Sequence, residues 1–461
     1  MLSLTKNKRF GKMTARACIL GAGMVMYAHS AWALLPIQHW TEANGARVWL
    51  VESPAIPMVD VQVDFDAGAR RDPPQQIGLA SAAAAMTSKG VRAGADNQKE
   101  KEAALDENAL GEAWADLGAS FEASAERDGF VYSMRSLTDP ELLAKALALA
   151  SRQIGEPSFP QDVWQRERAR WEAAIKESDT KPATVASKAF AADVYGKHPY
   201  GFQTTAQSLQ RINATDLQAF HKRYVQTCAA RVSIVGAVNK EQAQQLVRKL
   251  LSRLPAKSAG DCAKLPEVPQ VKPLAKAVEQ DIPFQSAQSH VIIGQPGIKR
   301  DNPDFLAILV GNHILGGGGF TSRLTQEVRE KRGLSYSVGS GFSPGLDAGA
   351  FVVGLQTRPD QAAEAVKVSR EVVKKFVEEG PSDEELRAAK DNLIGGFALR
   401  IDSNRKLLGN VVNIAWNNLP LDYLDHWTER VEALTVNDIR SAFQRMLQPD
   451  RMVTVVVGGK Q

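Results

Sequence analysis

Long hydrophobic runs are missing from this chain after its first 33 residues. A membrane-spanning helix takes about 20 apolar residues, so a multi-span membrane protein is excluded. Aromatic residues are sparse at 7%, yet 44% of the chain is hydrophobic and 23% charged, which is the balance of a globular protein and not of a disordered one. Histidine is scarce too. His29, His39, His198, His221, His290, His313 and His426 are the whole set, and no two lie three or four apart. A helical zinc pair needs that spacing to bring two imidazoles onto one face. There is no Gly-x-Ser-x-Gly elbow of a serine hydrolase. The run Gly316-Gly317-Gly318-Gly319 is not followed by Lys-Ser/Thr, which argues against a nucleotide P-loop.

The formal charge of +4 is unevenly placed. Lys6, Lys8, Arg9, Lys12 and Arg16 stand in residues 1–33 with no acid, and without them 51 basic residues face 52 acidic ones. The basicity belongs to the N-terminus, and a nucleic-acid partner loses its main support. The basic stretch, the apolar run Ala17 to Ala33 and the closing Ala31-Trp32-Ala33 read as an export signal, residues 1–33, with cleavage before Leu34. An uncleaved anchor is the alternative. The expected protein is periplasmic, with no stable membrane insertion once the signal is removed. Of three cysteines, Cys18 then leaves with the signal. Cys228 and Cys262 are too few for a structural zinc site. In an oxidising compartment they can pair, closing a loop worth roughly 3 kcal/mol, or they stay two thiols.

One unit occurs twice. Ile212-Asn213-Ala214-Thr215-Asp216-Leu217 and Leu434-Thr435-Val436-Asn437-Asp438-Ile439 each open a helix, at an offset of 222 residues. Strands ending in Gly236 and Gly458 follow at the same offset. Thr215 and Asn437 are the expected N-caps. Asp139-Pro140 and Arg358-Pro359 open two more helices, since proline in a first turn gives up no hydrogen bond. Val59, Val61, Val63 and Phe65 alternate with Asp60, Gln62, Asp64 and Asp66, which predicts a strand with one face buried. Val291-Ile292-Ile293 is its shorter counterpart. The expected fold is α+β: two tandem homologous domains, residues 34–255 and 274–461, each a mainly antiparallel sheet with long helices on one face. The Pro-rich stretch 256–273 reads as an extended linker.

These features together resemble the M16 (pitrilysin-type, inverzincin) metallopeptidases, whose fold is of the LuxS/MPP-like metallohydrolase type. The resemblance implies a helix after Gly78-Leu79-Ala80 carrying His-x-x-Glu-His, and a later zinc glutamate. In this sequence the motif positions fall on Ser81, Ala84 and Ala85, and the later one on Ala174, with Glu172 and Glu177 nearby. Gly118-Ala119-Ser120-Phe121 and Arg127-Asp128-Gly129 resemble the strand beside the family's active site. Gly316 to Gly319, followed by Phe320 and Thr321-Ser322-Arg323-Leu324, resembles the family's glycine-rich loop, and Arg329 and Tyr336 its substrate-gripping pair. On their own the glycines would read as a helix entry, Arg329 as a solvated charge beside Glu327 and Glu330, and Tyr336 as a strand aromatic. His198-Pro199-Tyr200-Gly201 resembles a family turn and is expected to be structural. His313 is expected to be a core histidine.

The resemblance thus implies a chain with no catalytic residue and no bound cofactor of its own. It would be the substrate-binding subunit of an exported heterodimer whose zinc is supplied by a related peptidase partner. A peptide-binding or regulatory pseudopeptidase without such a partner is the alternative.

Overall fold

Alternating valines and a phenylalanine make β3 (Met58–Phe65) the spine of the first sheet. The computed structural model describes residues 36–94, 102–255, 262 and 264–459; residues 1–33, expected to be an export signal, lie outside them. Around β3 stand β1 (Gln38–Thr41), β2 (Arg47–Glu52), β6 (Ser120–Ala125), β7 (Phe130–Leu137) and β8 (Arg231–Gly236), in the order β1-β2-β8-β3-β7-β6. A small separate pair is formed by β4 (Gly90–Val91) and β5 (Leu105–Asp106). The second sheet contains β9 (Val278–Ile282), β10 (Ser289–Pro296), β11 (Val338–Phe342), β12 (Ala350–Thr357) and β13 (Val453–Val457), ordered β11-β12-β10-β13-β9. Read from its other edge, this matches β2-β8-β3-β7-β6 strand for strand. In each sheet one pair is parallel, β2 with β8 and β9 with β13, and the other pairs are antiparallel. The repeat is therefore present in topology as well as in sequence. The expected α+β class is what the chain forms.

Three details differ from the sequence reading. The N-caps are Asn213 and Thr435, two residues before Thr215 and Asn437. The reason is the capping box: Asp216 and Asp438 reach back to the amides of Asn213 and Thr435, so two donors are satisfied reciprocally at each helix start. Next, β10 has eight residues, as many as β3, and is not shorter. The last concerns the polar side of β3, which is covered rather than solvated: Asp60 is 6% exposed and Asp64 4%. Helix Asn404–Asn417 from the second half lies over β3 and β8, with the Arg231 guanidinium 4.7 Å from the Trp416 ring and Ser53 Oγ donating to Asn404 Oδ1 at 3.0 Å. The favour is returned. Helix Pro182–Tyr195 from the first half buries Ala186, Phe190 and Val194 against Ala350, Val453, Val455 and Val457 of the second sheet. Each sheet thus has its own helices on one face and a helix of the other half on the second.

Cys228 and Cys262 form a disulfide, tying the start of the linker back to the first half. Residues 256–261 and 263 of that linker lie outside the described ones, and 264–273 carry no helix or strand. Among the described residues no helix is long and apolar enough to cross a membrane.

His221 gives the first half a pH signature. It lies buried on helix Ala214–Tyr224, with Nε2 3.2 Å from the Tyr132 hydroxyl, and burial holds its pKa down at about 4. Between pH 6.5 and 4 the unfolded chain binds a proton that the folded chain refuses, so stability falls as pH falls through that window. The expected contribution is about 3 kcal/mol. Urea unfolding of His221→Leu against wild type checks it: the gap between the two narrows from pH 7 to pH 4. The difference isolates His221 from Asp64 and Asp72, whose carboxyls burial raises to about 7 and whose effect on stability runs the opposite way with pH.

Candidate functional site

The motif helix, Leu79–Met86, enters through Gly78 at φ +104°, a conformation that favours glycine. The Asp72 carboxylate accepts from Gly78 N at 2.7 Å and from Ala80 N at 2.8 Å, so the helix start is satisfied internally. Along the helix Ala84 is buried, while Ser81 and Ala85 are half-buried. None of the three offers a metal ligand. Ala174, on helix Gln161–Ser178, is exposed. Glu172 is 3.7 Å from Arg168. Glu167 is buried among cations: Lys89 at 3.5 Å, Arg166 at 3.4 Å, and Arg170. Among the described residues no group of three or more His, Cys, Asp or Glu stands close enough to hold a metal ion. The donor chemistry at these four positions does not fit zinc.

Beside that helix runs β6, the edge of the first sheet. Phe121 is anchored by stacking on Trp114 and Tyr132, at 5.4 and 5.7 Å between centroids, while Ser120, Glu122 and Ser124 are exposed. The turn at its end holds Asp128, which accepts from the Tyr200 hydroxyl at 2.7 Å and from Leu346 N at 3.0 Å, across to the second half. His198 has the structural role expected of it. Its Nδ1 accepts from Tyr200 N at 3.1 Å, which leaves the proton on Nε2, 3.5 Å from Asp347.

The second half builds the other part of the site. Helix Phe305–Asn312 widens into a π-turn, His313–Gly317, and a second π-turn spans Thr325–Glu330. Such turns are rare and concentrate at functional sites. The glycines are bolted down and are not a loose helix entry. Gly316 packs so closely on Ser340 of β11 that a Cβ would collide with it. Asn312 donates from Nδ2 to Ser340 O at 3.1 Å and accepts from Ser340 Oγ at 2.8 Å. This loop also covers part of the β11 edge, which would otherwise pair with a stray strand. Gly317 and Gly318 close back on Asn312 and His313, and Gly319, at φ +65°, turns the chain outward to Phe320. His313 is half-buried at the helix end and is not a core residue.

Arg329 and Tyr336 come together here. The Arg329 guanidinium lies 5.0 Å from the Tyr336 ring and 4.7 Å from the Phe320 ring, with Nε 3.3 Å from Glu330. Phe320 is 65% exposed and Tyr336 81%. Cation–π contact with both rings holds the guanidinium without using its terminal N–H groups. Phe320 is the residue that the sequence did not single out. Its only signal is its place directly after the glycines, where a small polar residue would suffice for a turn.

Two repeated halves of one topology, with no metal-holding cluster among the described residues, form the frame of a metallopeptidase-type chain. Residues 47–207 match the family described as Insulinase (Peptidase family M16), and residues 211–393 match the one described as Peptidase M16 inactive domain. A crystal structure of a peptidase M16 inactive domain from Pseudomonas fluorescens is 33% identical, with a TM-score of 0.84, and the match covers 92% of this chain and 98% of that one. A protein of Helicobacter pylori described as a non-peptidase homolog is 23% identical over 91% of this chain and 94% of its own length. An uncharacterized zinc protease of Mycobacterium leprae is 28% identical over 60% of this chain, a stretch that spans 61% of its own length. The chain belongs to the M16 peptidase family, as a member without the zinc motif.

Proposed function

We propose that this chain is the non-catalytic, substrate-binding subunit of an exported zinc-dependent M16 peptidase heterodimer. The observation that carries the reading is an asymmetry. Ser81, Ala84, Ala85 and Ala174 offer nothing to a metal, while Tyr336 stands exposed and the half-buried Arg329 lies against its ring and that of Phe320, which follows the glycines. Exposed aromatics keep apolar surface in water, an unfavourable exposure that a bound peptide or partner relieves. In the pair, a related chain bearing His-x-x-Glu-His supplies zinc and base. This chain supplies the Tyr336 hydroxyl and the Arg329 N–H groups, which donate to the carbonyl oxygen of the bound peptide and hold it more strongly as negative charge builds on it. Gly316 to Gly319 lead into Phe320, whose ring lies 4.7 Å from the Arg329 guanidinium. Processing or degradation of peptides outside the cytoplasm follows from the export signal.

The test uses the purified protein alone and mixed with an exported chain that keeps His-x-x-Glu-His. Alone, it retains no stoichiometric zinc after dialysis and cleaves no peptide. Mixed, the two elute as a 1:1 complex whose cleavage is abolished by a chelator. Tight zinc in the lone chain, or chelator-sensitive cleavage by it, overturns the proposal.

A further inference from the structure

A groove of about 430 Å³ opens beside Tyr336, between helix Pro182–Tyr195 and strands β10 and β12. That volume is within the range of small-ligand sites. Ala183 and Ser187 of the helix form one wall, Ile292 and Gly354 the floor, and His290 and Tyr336 the rim. Gly354 is the informative residue. It sits inside β12, paired to Ile292 on one side and to Gly339 on the other. Its φ lies outside the left-handed range, and a Cβ there would meet nothing within 4 Å. Neither the backbone nor the packing of this chain asks for glycine. A strand glycine costs roughly 0.5–1 kcal/mol against alanine, and in a sheet it often marks the close approach of a ligand. The lining holds no Asp, Glu, Lys or Arg. The matching groove on the first sheet is different, being charged with Asp64, Glu126, Asp128, Arg127 and Arg300. A charged side chain entering the neutral groove would lose water without gaining a partner.

We infer that this groove is a side-chain subsite for the bound peptide: an apolar residue of an extended segment lies over Gly354 against Ile292, next to the residue whose carbonyl meets Tyr336. The inference rests on the peptide-binding reading above and adds a preference to it. Small residues, Ala183 and Ser187 on the helix wall and Gly354 on the floor, leave room for a branched aliphatic or a phenyl ring.

The experiment measures fluorescence anisotropy of the purified full protein with labelled decapeptides identical except at one central residue: glycine, leucine, phenylalanine or aspartate. Wild type is expected to bind the leucine and phenylalanine peptides about tenfold tighter than the other two, the effect of burying one such side chain. Gly354→Val fills the floor and removes most of that preference while leaving the glycine peptide unchanged. Ser187→Trp, on the exposed face of the helix, closes the groove from the opposite wall and does the same. If wild type binds all four peptides equally, or both variants keep the preference, the subsite is wrong and peptide binding stands. If no peptide binds up to millimolar protein, both readings fall.

Discussion

In the proposed heterodimer, Tyr336→Phe is expected to lower turnover about 100-fold, the cost of losing one donor to a developing oxyanion. The substitution is selective because of how the site is built. The Tyr336 ring contributes to holding the Arg329 guanidinium, 5.0 Å away, and phenylalanine keeps that ring. What is removed is the hydroxyl alone, on a side chain that is 81% exposed and therefore carries no part of the core. Folding and pairing are expected to be unchanged, and KM to move little. A hydrogen bond that strengthens only as charge develops affects kcat more than ground-state binding. Steady-state kinetics with one fluorogenic peptide, after size-exclusion shows an intact 1:1 complex, checks this. Equal kcat for the two proteins would remove Tyr336 from the reaction. Arg329→Ala is the harsher change, since it also frees Phe320 and Tyr336 from the stack.

The helix starts at an offset of 222 were legible in the sequence because their signals are local. The glycine run, Arg329 and Tyr336 were marked as a candidate site by resemblance, since on their own they read as a helix entry, a solvated charge and a strand aromatic. The caps follow the same logic: Asp216 and Asp438 reach back to the free amides of Asn213 and Thr435, which starts each helix two residues before Thr215 and Asn437. The readings that differed are those that depend on distant chain. The alternation in β3 predicts one buried face, and nothing near residue 60 announces that helix Asn404–Asn417 covers the other. Asp60 could be solvated by that pattern; instead it is held by Arg135 at 2.7 Å under a helix some 340 residues away. Phe320 escaped for a related reason. Its value comes from Arg329 folding back onto it through a π-turn, a geometry with no periodicity to read.

The same long-range exchange makes the seam between halves vulnerable at one carboxylate. Asp128→Ala is expected to lower the unfolding free energy by about 3 kcal/mol, the range for removing one member of a mostly buried charged cluster. Its side chain is 12% exposed and accepts from the Tyr200 hydroxyl at 2.7 and 2.9 Å and from Leu346 N at 3.0 Å, with Arg70 Nε 3.2 Å away. Tyr200 in turn accepts from Asp347 N at 3.0 Å and stacks under Arg127, whose guanidinium donates to Ser343 O at 3.3 Å. The β6–β7 turn, the Pro199–Gly201 turn and the loop at 343–347 thus share one acceptor. Arg70 keeps Asp66 at 2.7 Å, so its charge is not stranded; the loss falls on Tyr200 and Leu346. Two measurements separate a seam from an isolated turn. Urea unfolding gives the total, and hydrogen exchange at the amides of Leu346 and Asp347 speeds up before the sheets do if the halves part there first. Asp128→Asn, which keeps an oxygen for Tyr200 but not the charge for Arg70, should fall between the two. An unchanged midpoint in Asp128→Ala would mean that the exchanged helices alone hold the two halves face to face.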